Sequence, residues 1–112
     1  MAALTATTPT RTGTASPGAG VASTDTIARS VMGAGGCLLE ILNGNASPDS
    51  MTISDATTTT TGAAAAANAP SVTNGTNRVF LIKPDQADLS TGLVTITHSV
   101  TTTVTYKLYP IG

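Results

Sequence analysis

The strongest constraint on the fold is the run from Gly92 to Tyr109. Between Val94 and Leu108 the even positions are Val94, Ile96, His98, Val100, Thr102, Val104, Tyr106 and Leu108, mostly apolar; the odd positions are Thr95, Thr97, Ser99, Thr101, Thr103, Thr105 and Lys107, all polar. Side chains alternate across a strand, so this pattern is a β-ribbon with one dry and one wet face. The run is far longer than the usual strand of about six residues. It is therefore expected to fold back near His98 to Thr102 as a hairpin.

Other stretches read as strands on the same grounds. Cys37 to Leu42 is apolar on both faces, which predicts a central strand or one covered on its outer side. Asn43 to Asp49 is dense in turn formers, and Ser50 to Ser54 follows with Met51 and Ile53 inward, so the two segments are expected to form a hairpin with a long loop. Arg78 to Lys83 places Phe80 and Ile82 on one face and Val79, Leu81 and Lys83 on the other, and Pro84 ends it. Ser23 to Met32 reads as an extended segment ending at Gly33 to Gly36, and the tracts Thr57 to Thr61 and Ala63 to Ala67 read as a long surface loop. The fold class expected is all-β: a small antiparallel β-sandwich or barrel-like domain over residues 31–112. Residues 1–30, rich in Thr, Ala, Gly, Ser and Pro, are expected to form an extended N-terminal arm that adds nothing to the core.

Composition narrows the function. Charged residues are 10% of the chain, the formal net charge is −1, and Arg11, Arg29, Arg78, Lys83 and Lys107 are scattered. No basic patch is present for nucleic acid. Aromatic residues are 3%, so the expected body is small and gains from oligomerisation or from docking on a larger surface. No run is long and apolar enough for a membrane helix, and the start has no signal-peptide pattern, so synthesis in a cytoplasm is expected.

No residues assemble into a recognisable catalytic, cofactor or metal motif, and none of these is assigned. His98, the single histidine, sits among apolar positions and reads as a structural or turn residue. The loop pairs Asp49 with Asp55 and Asp85 with Asp88 lack calcium-loop spacing and read as turn chemistry. Cys37, the single cysteine, forms no intrachain disulfide and reads as a small core residue. Gly33 to Gly36 lacks the Gly-Lys-Ser/Thr ending of a phosphate loop and reads as a flexible lead-in to the next strand. The sequons at Asn45 and Asn74 read as turns. The threonines from Thr95 to Thr105 read as the wet face of a sheet rather than an ice- or sugar-binding array.

Taken together, Cys37 to Ser54, Asn77 to Pro84 and Thr91 to Leu108 resemble small structural proteins of tailed bacteriophages, in particular head decoration, or cement, proteins. The resemblance implies a non-enzymatic virion protein on the capsid's outer surface. It implies the major capsid protein as partner, with neighbouring copies of itself as a homotrimer, and no cofactor. Residues 1–30 would then act as a strap. The alternative is an adhesive or receptor-binding fibre or tail component, with the threonine face and loops as its working surface.

Overall fold

The computed structural model describes residues 2–16, 18–56 and 68–111. They form nine strands: β1 (Ala2–Ala3), β2 (Ala19–Gly20), β3 (Thr24–Ala28), β4 (Gly36–Asn43), β5 (Asp49–Ile53), β6 (Ser71–Val72), β7 (Asn77–Ile82), β8 (Leu93–His98) and β9 (Val104–Ile111). Two sheets result, β1-β3-β8-β5-β6 (sheet A) and β2-β9-β4-β7 (sheet B). Their pairing is antiparallel apart from β1 with β3. The protein is all-β, as its alternating pattern predicts, and its inner faces share one core.

The inward faces are those read from the alternation. Val94, Ile96 and His98 of β8 and Val104, Tyr106 and Leu108 of β9 are buried, as are Leu39 and Ile41 of β4, Met51 and Ile53 of β5, and Phe80 and Ile82 of β7. β4 lies between β9 and β7, the central position expected of a strand apolar on both sides. The 3-10 turn Pro84–Gln86 follows β7 at the expected stop.

The pairing differs from expectation. β8 and β9 are not a hairpin: β8 lies in sheet A between β3 and β5, and β9 lies in sheet B between β2 and β4. β4 and β5 likewise belong to opposite sheets. Among the described strands, β5 and β6 are the only consecutive two that share a sheet. An alternating strand specifies a buried face, and that face is satisfied equally by lateral pairing or by stacking across the core. Here the chain stacks. Ser99 to Thr103 make the crossing, with Thr103 in the left-handed region at φ 58°.

Residues 1–30 also depart from the expected free arm. β3 is an interior strand of sheet A, bonded to β8 through five register pairs, and Ile27 is fully buried. β1 edges sheet A and β2 edges sheet B. Leu4 reaches the core at 4% exposure, its N–H donating to Thr26 O at 2.8 Å. Thr7 N–H donates to Leu108 O at 2.8 Å. Sparse apolar residues suffice because neighbouring strands already supply the partners: Leu4 and Ile27 fill space that the other strands leave open.

The glycines at the entry to β4 are a requirement of close approach rather than a flexible lead-in. A Cβ on Gly33 would lie 1.9 Å from Ile111 O, and one on Gly36, at φ 101°, 2.1 Å from Ile82 O. The tracts Thr57 to Thr61 and Ala63 to Ala67 lie outside the described residues.

Candidate functional site

The alternation that buries Ile96 also sends His98 inward, and the same rule places Asp25 on β3 and Asp49 on β5 on that inner face. Asp25 pairs with Ile96 and Met51 pairs with His98, so the three polar residues occupy one end of sheet A on adjacent strands β3, β8 and β5. All three side chains are sealed from solvent. The ring Nδ1–H donates to Asp49 Oδ2 at 2.6 Å, a short contact to an ionisable acceptor. Nε2 lies 3.8 Å from Asp25 Oδ2 and has no hydrogen-bond partner among the described residues. Each carboxylate also serves the backbone. Asp49 Oδ1 accepts from Ser99 N–H at 3.0 Å, and Asp25 Oδ2 accepts from Ala22 N–H at 3.1 Å.

These contacts hold two of the places where the chain changes sheets. Asp49 fixes the exit from β8 towards β9, and Asp25 fixes the approach to β3. An Asp–His pair of this kind also occurs in hydrolase relays, where the second ring nitrogen faces a nucleophile. Here Nε2 faces a second carboxylate in the dry interior. Among the described residues no group of three or more His, Cys, Asp or Glu side chains could hold a metal ion.

The other sequence candidates are dispersed. Asp49 belongs to the buried cluster, so the turn reading is corrected for it: a nearby inward histidine outweighs loop chemistry. Asp55 is half-buried elsewhere. Asp88 accepts from Ser90 N–H at 2.8 Å and from its hydroxyl at 2.6 Å, bonds that hold its carboxyl below the usual range, and Asp85 is exposed beside it. Cys37 is fully buried, and desolvation pushes its thiol up to about 11. Asn45 and Asn74 lie in turns, where Asn45 Oδ1 accepts from Ser47 N–H at 3.0 Å. The threonine array does not form one surface: Thr95 and Thr97 face outward from sheet A, and Thr105 faces outward from sheet B.

Three of the four exposed large apolar residues among the described residues, in contrast, converge; the fourth, Leu89, stands in the loop between β7 and β8. Val79 and Leu81 on β7 are 56% and 52% exposed, and Leu38, paired with Leu81 on β4, is 38% exposed. They share the outer face of sheet B beside the strand that ends it. The residues were legible as the second face of an apolar strand; their exposure was not, because periodicity alone does not say whether another layer covers them. A shallow polar hollow lies elsewhere, between Thr5, Thr7 and Ser16 and the β9 residues Tyr106 and Lys107.

Comparison of the chain with protein-family models, with curated proteins and with solved structures finds no match. No helix among the described residues is long and apolar enough to cross a membrane.

Proposed function

We propose that this protein is a capsid decoration (cement) protein that docks on the outer surface of a bacteriophage major capsid protein lattice and works without catalysis. The observation that carries this reading is the apolar strip Leu38, Val79 and Leu81 on the outer face of sheet B, large side chains left in solvent where a self-sufficient protein would place polar ones. The sealed position of His98, Asp25 and Asp49 favours a structural use of the strongest polar constellation. Docking is assigned to this face and not to residues 1–30, whose strands are committed to the protein's own sheets. Shell stabilisation follows from repetition: each copy bridging neighbouring subunits adds contacts that expansion must break, and many weak sites act together.

The test is reconstitution on purified shells. Wild-type protein is expected to bind at a copy number proportional to the shell subunit, and Leu38→Glu is expected to lose most of that binding while keeping its fold. A few copies at a single position would favour the adhesive or tail role. Undiminished binding by Leu38→Glu would remove the assigned face.

A further inference from the structure

Three of the four sheet edges are two-residue strands, β1, β2 and β6; the fourth is β7, with six residues. Proteins blunt long edges with proline, bulges, inward charges or a cover. β7 contains no proline; its one charge, Arg78, lies on the inner-face side but is engaged by the protein itself, donating to Ser71 O at 2.9 Å, and among the described residues no strand pairs with the outer side of β7.

Which backbone groups are free follows from the ladder. Asn43 N–H donates to Thr76 O at 2.9 Å, and the same register pairs Ile41 with Arg78, Leu39 with Phe80 and Cys37 with Ile82. Antiparallel partners exchange hydrogen bonds at alternate pairs. Arg78, Phe80 and Ile82 therefore turn their backbone groups to β4, and Asn77, Val79 and Leu81 turn theirs outward. This set is symmetric about Val79.

We infer that β7 is a self-association edge: two copies pair their β7 strands antiparallel about a two-fold axis through Val79, fusing two four-stranded sheets into one continuous sheet. Val79 meets its own mate, and Asn77 meets the second copy's Leu81. Every outward donor and acceptor is then used. Neighbouring two-fold registers fail this condition. Centring on Phe80 brings in Lys83, whose N–H already donates to Gln86 Oε1 at 2.9 Å and whose carbonyl accepts from Gln86 N–H at 3.1 Å. Centring on Arg78 brings in Gly75, whose N–H donates to Asn43 O at 2.7 Å. In the Val79 register the cations also stay apart. Arg78, which lies 5.4 Å over its own Phe80 ring, faces the second copy's Phe80. A foreign strand also fits a free edge; a second copy is the occupant assigned because the Val79 register uses all three free residues of both strands and sets no like charges opposite each other.

The seam is one six-residue strand per copy, short beside the roughly 20–30 residues a side of a stable complex, so the dimer is weak and concentration-dependent. It does not depend on the capsid reading and is tested without shells. Sedimentation of the full chain from about 10 µM to 1 mM is expected to show reversible dimers by the upper end of that range. Val79→Lys, which opposes two like charges, should weaken dimerisation at least tenfold. Cross-linking reads the register. In Val79→Cys the Cα atoms lie about 5.5 Å apart, within disulfide reach, and mild oxidation should yield a covalent dimer. In Leu81→Cys, equally exposed, the introduced thiols lie about 14 Å apart and should not cross-link. Monomers throughout, an unaffected Val79→Lys, or equal cross-linking by both cysteine variants would overturn the inference.

Discussion

Replacing His98 with leucine tests the clamp at the end of sheet A. Leucine has similar bulk, so the change removes polar contact with little change in packing. Asp49 Oδ2 loses its 2.6 Å donor, and Asp25 loses the ring 3.8 Å away. Both carboxylates keep backbone donors, from Ser99 and Ala22, but remain in a dry interior without the imidazole. Leaving a buried charged acceptor without its hydrogen-bond donor costs about 3 kcal/mol. A domain of this size has a total stability of roughly 5–15 kcal/mol. The variant should therefore lose a large share of its margin. Urea unfolding followed by far-UV circular dichroism should show the midpoint falling by about 2 M, given slopes of about 1–3 kcal/mol/M. The second arm is the triple variant Asp25→Asn, Asp49→Asn, His98→Leu. It removes the charges, and the asparagine carbonyls still accept the backbone N–H groups, so it should recover most of the loss. A single-variant cost below about 1 kcal/mol, or a triple variant no more stable than the single one, would refute the clamp.

Three further outcomes are expected. Gly36→Ala should fold poorly or not at all, because its Cβ would lie 2.1 Å from Ile82 O at a φ of 101°; soluble yield and thermal melting check this. Leu4→Ala should cost about 2 kcal/mol or more in urea melts, and deletion of residues 2–30 should abolish folding, since it removes β3 and Asp25; a truncated chain that melts like wild type would restore the separate-arm view. Cys37 has a folded-state pKa raised from 9.0 to about 11, so above pH 9 the unfolded chain releases a proton that the folded chain keeps. Stability should fall between pH 9 and 11 by on the order of 2 kcal/mol relative to Cys37→Ala, measured by parallel denaturant melts.

The alternation in β8 and β9, the double apolar character of β4 and the break at Pro84 were readable along the chain. Each depends on backbone geometry within a few residues: side chains point to opposite faces at every step, and proline lacks a donor. Local geometry does not choose neighbours. Whether Val94 and Val104 belong to one hairpin or to facing sheets is decided by which arrangement buries both, and that depends on all the other strands at once. Residues 1–30 looked too polar to matter because their composition was weighed alone; Leu4 and Ile27 count because a core already surrounds them. The clamp was hidden for the same reason. Asp49 and His98 are 49 positions apart, and each is unremarkable in its own segment. Only the assembly of β3, β8 and β5 side by side brings Asp25, His98 and Asp49 within reach of one another, where exclusion of water turns three ordinary polar residues into a mutual dependence.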